Sequence, residues 1–558
     1  MSDGSNDDRA RADAAFPPLS EEQFRALAAR GTTRATRAGD ELYKAGETPR
    51  EFIAVSTGSV SLVDCAGGER RVVGQLGPRQ FAGEAATLTG QAALLSAAVD
   101  EPGEVLRVPV QELRRVVADD ASLGDLLFRA FLARRSMLIG LGAGLRIIGS
   151  RYSPDTRRLQ RFAARNRLPH RWIDVEEDTE AETLLEQLGI APDETPVVIL
   201  GDHRVMRNPS NRELAAILGF EEPADDARWD IIVVGAGPAG LAAGVYGASE
   251  GFATIVLDSV ATGGQAGTSS RIENYLGFPA GISGGDLADR AVVQAEKFGA
   301  RFALPGEATK LAPRDGGYAV HLDDGATLHG RTVVIATGAR YRKLPVARLD
   351  EFEDTSVFYA ATAMEAHVCR RMPVAVVGGG NSAGQAALFL STHASRVPLL
   401  IRHDDIARDM SRYLVDRIAR SPDVEVLRHT EIRALVGDRE LEAVDVDDNR
   451  TGETRRLPTR RVFVFIGAEP HTQWLGDEIA LDDHGFVLTG ASARERASSR
   501  AGAGGAPPLA TSLPGVFAAG DVRSGSIKRV ASAVGEGAMA VRLAYEHLRS
   551  HESGPAHA

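Results

Sequence analysis

Thiols are almost missing from this chain: among 558 residues there are two cysteines, Cys65 and Cys369, far apart in sequence. That excludes a disulfide framework and a cysteine-rich metal site, and it fits a reducing cytoplasm. Histidine is not organised either. The 13 histidines show no H-E-x-x-H and no paired spacing, so no metal site is expected. No Ser-His-Asp triad follows from residue order. A surplus of positive charge is absent; the formal net charge is −12, which argues against non-specific nucleic-acid binding. Met1 to Ala15 is polar and acidic and lacks the apolar core of a signal peptide. A disordered tail is expected there. Ile231 to Ala248 is uncharged and long enough to suggest a membrane span. Its glycines and proline sit at strand–turn–helix spacing instead.

What is present is ordinary globular composition, 43% apolar and 25% charged. At roughly 150 residues per domain, the length predicts three or four domains. From 16 to 146, a helix at Glu21–Ala29 precedes short strand-like runs such as Phe52–Val55 and Ser59–Val63, separated by glycine-rich turns. Helical segments follow at Val110–Val117 and Leu123–Leu138. This order predicts a small β-barrel with a helical lid. Residues 150 to 220 read as a second α/β unit. Its helices fall at Thr156–Arg165, Ala181–Leu188 and Asn211–Leu218, with strands at Arg171–Val175 and Thr195–Leu200 and a turn at Gly201-Asp202. Glu221 to Ala227 is an acidic linker, and Ala491 to Pro508 reads as a flexible insertion.

Two glycine-rich turns carry the chemistry. In the first, the strand Asp230–Val234 runs into Gly235-Ala236-Gly237-Pro238-Ala239-Gly240. Gly235 permits the tight turn, Gly237 lets backbone approach a pyrophosphate, and Gly240 lets the next helix pack closely. That helix offers N–H groups and a positive dipole end to phosphates. Asp258 closes the next strand, Thr254–Leu257, where an acid bonds a ribose hydroxyl. In the second turn, Val374–Val377 leads to Gly378-Gly379-Gly380-Asn381-Ser382-Ala383. The following strand, Val397–Ile401, ends in Arg402-His403 rather than an acid. Arg402, helped by Arg408, suits a 2′-phosphate, so NADPH is expected over NADH. Near the C-terminus a strand ends at Gly520-Asp521, and a helix is expected within Ser524–Val541. The acid suits a sugar-alcohol hydroxyl, and the helix start suits a flavin pyrimidine edge. Two such turns in one chain predict electron transfer between two dinucleotides.

These residues resemble the thioredoxin-reductase branch of the flavin-dependent pyridine-nucleotide oxidoreductases. The resemblance covers about 229 to 548 and includes Gly263-Gly264-Gln265, Ile272-Glu273-Asn274-Tyr275, Ala336-Thr337-Gly338 and Arg529-Val530-Ala531. It implies an FAD domain at 229–345 and 463–550, an NADPH domain at 346–462, and a homodimer. It also implies that Gly264, Gln265 and Asn274 hold FAD with Thr337 and Gly338, that Asp521 bonds the ribityl chain, and that Arg529, Val530 and Ala531 border the isoalloxazine. The family's Cys-x-x-Cys is missing: the matching stretch is Tyr359-Ala360-Ala361-Thr362-Ala363-Met364-Glu365. An exchangeable dithiol needs two thiols within bonding reach, so electrons are expected to leave for an external acceptor. Quinone, ferredoxin or flavodoxin, oxygen and a partner protein are all candidates. Thioredoxin reduction, or a redox sensor regulated through the N-terminal domain, are the alternatives. No side chain is singled out as catalytic.

Residues 16–146 resemble a cyclic-nucleotide-binding domain, with Phe81-Ala82-Gly83-Glu84-Ala85-Ala86 matching its phosphate cassette. The family's phosphate-pairing arginine falls on Leu95. A buried phosphate without a cation costs several kcal/mol, which argues against cyclic nucleotide binding. Residues 150–220 resemble a glutaredoxin or thioredoxin unit. Thr195-Pro196 stands at the usual cis-proline position, and Ser153-Pro154-Asp155-Thr156 stands where two cysteines would be. The whole chain therefore reads as α/β, with two Rossmann-like dinucleotide-binding domains behind a β-barrel and a small thioredoxin-like unit.

Overall fold

The computed structural model describes residues 14–552 except 66–69, 85–89, 179–180, 182–183, 187, 192–193, 202–203, 221–226, 270, 354, 360, 362–364, 367–368, 370, 439 and 497–506. Most of the N-terminal tail, most of the acidic linker, cassette residues Ala85 and Ala86, and much of the stretch 359–365 therefore lie outside it. So do parts of the expected helix 181–188 and most of the expected insertion. The chain divides into two compact units, one of 1–234, 244–262 and 289–331, the other of 235–243, 263–288 and 332–558.

The first unit opens with helix α1 (Glu21–Ala28), fixed by a Ser20/Gln23 capping box. A six-stranded antiparallel sheet follows: β1 (Thr32–Thr36), β2 (Glu41–Tyr43), β3 (Glu51–Asp64), β4 (Arg71–Leu76), β5 (Phe81–Ala82) and β6 (Ser96–Pro109). The two runs expected inside β3 are one strand of 14 residues. Its register shifts at Thr57 and Ser59, so Gly58, at φ +81°, makes a bulge rather than a turn. Helices α2 (Val110–Asp119) and α3 (Ala121–Leu141) complete the module. Asp120 starts α3 by accepting from Ser122 N–H and Leu123 N–H, and Gly142 ends it in the left-handed region.

The next module packs β7 (Leu145–Ile148), α4 (Pro154–Arg165), β8 (His170–Ile173), β9 (Val197–Leu200), β10 (Arg204–Arg207) and α5 (Asn211–Ile217), with sheet order β10-β9-β7-β8. Its core joins Leu145, Ile147, Leu159, Phe162, Val198 and Leu214. Strand β11 (Arg228–Val234) pairs in parallel with β12 (Thr254–Leu257), and β12 with β13 (Arg301–Ala303). Strands β14 (Ala308–Arg314), β15 (Gly317–Leu322) and the start of β16 (Thr327–Ile335) form an antiparallel meander. The N-terminal modules are tied to this part by polar contacts. Asp289 pairs with Arg135 of α3 at 3.5 Å and with Arg167 at 3.3 Å, Arg212 pairs with Asp323 at 3.0 Å, and Asn166 Nδ2 donates to Val260 O at 3.0 Å.

The second unit holds the first glycine turn and the opening of α6 (Pro238–Ser249). The end of β16 pairs in parallel with β17 (Val516–Ala518). Here too is a five-stranded parallel sheet. It contains β18 (Val374–Val377), followed by α7 (Asn381–Leu390), and β19 (Val397–Leu400). Helix α8 (Arg412–Arg420) packs beneath α7, placing Leu414 and Ile418 in the core with Ala383 and Ala387. Within the same sheet, on the flank of β18 away from β19, β18 pairs in parallel with β20 (Arg461–Val464). Helix α9 (Val530–Glu552) closes the chain's described part. The helix Gly490–Arg496 takes up the start of the expected flexible insertion Ala491–Pro508; Ala, Arg and Glu favour a helix. Among the described residues no helix is long and apolar enough to cross a membrane, and Ile231–Ala248 is strand, turn and helix.

Candidate functional site: two glycine cradles

The two glycine turns have the same geometry. In each, the first glycine is jammed against neighbouring backbone. A Cβ on Gly235 would lie 2.3 Å from Ala336 O, and one on Gly378 would lie 2.2 Å from Phe465 O. Both also have positive φ, +106° and +139°, so packing and conformation require glycine there. The second glycine is different. A Cβ on Gly237 would meet nothing nearer than Gly264 Cα at 3.8 Å, and one on Gly380 nothing nearer than Asp409 O at 3.9 Å. Gly380 has φ −92° and ψ −179°, open to any residue. Among the described residues nothing demands glycine at Gly237 or Gly380. The open backbone at each leaves room for a phosphate to rest against it. The residues present therefore fit dinucleotides at both turns.

The rest of the first cradle is assembled from short segments. Ala336-Thr337-Gly338 lies over Gly235, with Thr337 Oγ1 donating to His471 O at 2.8 Å. Gly264 packs against Gly237, its would-be Cβ 2.9 Å from Gly237 Cα, and Gln265 Nε2 donates to Ala339 O. Pro238, Ala239 and Gly240 form the first turn of α6, while Asn274 is exposed in a loop. In the first unit, Asp258 follows β12 directly, and its Oδ1 accepts from Val260 N–H at 3.0 Å and Ala261 N–H at 3.1 Å. Gly520-Asp521 turns off β17 in a 3-10 turn. Burial holds the Asp521 carboxyl above its ordinary pKa; the Lys528 charge lowers it and the Glu536 charge raises it. Val530 and Ala531 open α9, with Arg529 just before it.

In the second cradle the predicted arginines come together around one imidazole. Arg402 Nε donates to His403 Nε2 at 3.1 Å, and Arg408 Nη1 lies 3.4 Å from His403 Nδ1. Both arginines are exposed. Asp405 caps the short turn Ile406–Arg408 that brings Arg408 back. Asn381 Oδ1 accepts from Ser411 N–H at 2.7 Å, and Ser411 Oγ accepts from Arg529 at 3.4 Å. Ser382 and Ala383 continue α7, with Ala383 buried. Ser411 thus joins the second turn to the flank of α9, a link that no sequence spacing signals. Cys369 is buried, and burial pushes its thiol up to about 12; the Arg461 charge lowers it and the Glu365 charge raises it.

In the N-terminal cassette the Glu84 carboxylate is already paired. Arg134 of α3 donates to Glu84 Oε2 at 2.6 Å, to Phe81 O at 2.7 Å and to Ala15 O at 2.7 Å. Its guanidinium lies 5.0 Å from the Phe16 ring centroid and 4.9 Å from that of Phe81. Leu95, at the position of the cassette arginine, is buried in the sheet's core with Val55 and Leu62. In the second module, Ser153 caps α4 by accepting from Thr156 N–H. Thr156 is fully buried, and Thr195–Pro196 is cis, as the resemblance implies.

Residues 229–537 match the family model described as pyridine nucleotide-disulphide oxidoreductase, and residues 33–120 match that of the cyclic nucleotide-binding domain. A thioredoxin reductase of Treponema pallidum is 34% identical over 320 residues, 57% of this chain and 97% of that protein. A 34.2 kDa protein in a rubredoxin operon of Clostridium pasteurianum is 30% identical over 324 residues, 58% of this chain and 98% of that protein. Among solved structures, T. acidophilum thioredoxin reductase superposes with a TM-score of 0.52 at 29% identity, covering 58% of this chain and 99% of that one.

Proposed function

The chain belongs to the pyridine nucleotide-disulphide oxidoreductase family, in its thioredoxin-reductase branch, and from that we propose which residues hold each cofactor and how electrons leave. It is an FAD-dependent NAD(P)H oxidoreductase. FAD lies on Gly235, Gly237, Pro238, Ala239 and Gly240, within a domain of 229–345 and 463–550. Asp258 takes its ribose, Gly264, Gln265, Asn274, Thr337 and Gly338 flank it, Asp521 takes the ribityl chain, and Arg529, Val530 and Ala531 border the ring. NADPH lies on Gly378, Gly380, Asn381, Ser382 and Ala383 in the domain 346–462. There Arg402 and Arg408 hold the 2′-phosphate. The observation that carries this reading is the empty space over Gly237 and Gly380.

When bound, the flavin supplies the redox chemistry, accepting hydride from NADPH, and the protein contributes orientation and electrostatics. No acid or base is needed for that step. The exit is an external acceptor: quinone, ferredoxin or flavodoxin, oxygen, or a partner protein. Support comes from the two cysteines, of which Cys369 is buried with a strongly raised thiol pKa. A thiol held in that state is a poor nucleophile. The N-terminal domain serves a structural or dimerisation role or senses another ligand rather than binding a cyclic nucleotide, a reading supported by Glu84 already being paired with Arg134. The protein works as a cytoplasmic homodimer. Screening acceptors with NADPH tests the exit: turnover with a quinone or a one-electron carrier and none with thioredoxin is expected. Efficient NADPH-dependent thioredoxin reduction would overturn it.

A further inference from the structure

Glu536 lies two turns into α9, outside every motif of the cofactor cradles, yet it ties down the turn that carries Asp521. Strand β17 ends at Ala518, and Ala519 N–H still donates to Ile335 O at 2.9 Å. Gly520, at φ +79°, has turned away from the sheet, and its N–H donates to Glu536 Oε2 at 2.7 Å. The same carboxylate takes Arg523 in a fork, Nε to Oε2 at 3.0 Å and Nη2 to Oε1 at 2.6 Å. Arg523 Nη1 in turn donates to Thr489 Oγ1 at 2.9 Å. The Arg523 and Glu536 side chains are only 16% and 18% exposed. Both ends of the turn Gly520–Arg523 therefore hang on one carboxylate, with Asp521 between them.

The height of that carboxylate is fixed by packing. A Cβ on Gly537 would lie 2.1 Å from Ala239 O, and one on Gly520 would lie 3.0 Å from Ala239 Cβ. Helix α9 and the turn are thus pressed against the opening of α6, the first cradle itself. We propose that Glu536 is a positioning residue for the flavin site, acting through Gly520 and Arg523 to aim Asp521 at the cofactor. This rests on the FAD reading above. A glutamine keeps the shape but turns an amide NH2 toward the guanidinium, donor against donor. Arg523 must then swing away, and the turn loosens.

The test uses the full-length holoprotein, with Glu536→Gln and Thr489→Ala. FAD affinity is read by fluorescence and the flavin midpoint potential by spectroelectrochemistry. Glu536→Gln is expected to weaken FAD at least tenfold and to shift the potential, and Thr489→Ala to move both the same way by a smaller amount. A change in thermal stability alone, with wild-type affinity and potential, overturns the proposal. If Glu536→Gln does not fold, wild-type values in Thr489→Ala overturn it. A wild-type protein that binds no FAD fails the flavin reading itself, and this proposal with it.

Discussion

Replacing Gly380 by alanine separates ligand from fold. The backbone there, at φ −92° and ψ −179°, suits alanine, and the added methyl finds no protein atom nearer than 3.9 Å. Gly380 is the N-cap of α7, where alanine costs at most ~1 kcal/mol. Folding should be close to unchanged. The ligand has no such latitude, because the methyl stands where a pyrophosphate would meet the helix N–H groups. Losing one charge-assisted hydrogen bond costs about 1.5–3 kcal/mol. At 1.4 kcal/mol per decade, NADPH should bind roughly 10- to 150-fold more weakly. Anaerobic stopped-flow bleaching of the flavin against NADPH concentration measures this, with FAD content and melting as controls. Gly378→Ala is the contrast: its methyl would strike Phe465 O at 2.2 Å and should damage the turn outright. A folded, FAD-loaded Gly380→Ala protein with the wild-type NADPH dependence would refute the placement of NADPH.

Arg402→Gln removes a charge facing the proposed 2′-phosphate. The preference for NADPH over NADH, as a ratio of kcat/KM values, should fall roughly 10- to 150-fold, on the same ~1.5–3 kcal/mol scale. Arg134→Met strands the buried Glu84 carboxylate, and loss of one partner from a buried pair costs about 3–5 kcal/mol. Hydrogen exchange across β3 and β6 should rise accordingly, while calorimetry of the unaltered protein should show no heat with cyclic AMP or cyclic GMP. Asp521 gives a pH dependence. Its carboxyl is raised in the folded protein, so the folded state holds that proton more tightly than the unfolded chain. The resulting penalty is absent below the unfolded value and grows as pH rises through the folded one. Asp521→Asn should therefore stabilise the apoprotein at neutral pH in thermal melts while weakening FAD; lower apoprotein stability at neutral pH would contradict it.

Both glycine turns and the Gly520-Asp521 strand end were legible in the sequence because each signature is local: a β-branched run, a glycine spacing, a terminal acid. Gly58 misled for the same reason. It reads as a turn between two strands, yet a Cβ there would lie 2.6 Å from Glu101 O, and the close approach belongs to a bulge inside one long strand. Roles set by distant pairs left no trace in spacing. Arg134 meets Glu84 across 50 residues, Ser411 meets Arg529 across 118, and Gly520 finds its acceptor on α9 16 residues on. The Ala491–Pro508 segment reads as flexible by composition because glycine and serine further along outweigh the helix-forming alanine, arginine and glutamate at its start.

Electron flow from NADPH into a single internal acceptor is tested most directly by anaerobic titration of the purified yellow protein with NADPH. Visible flavin absorbance should bleach completely at one NADPH per FAD, with no further equivalent consumed. A flavin that stays oxidised under excess NADPH, or a chain that consumes two equivalents as a flavin with a redox disulfide would, contradicts that route.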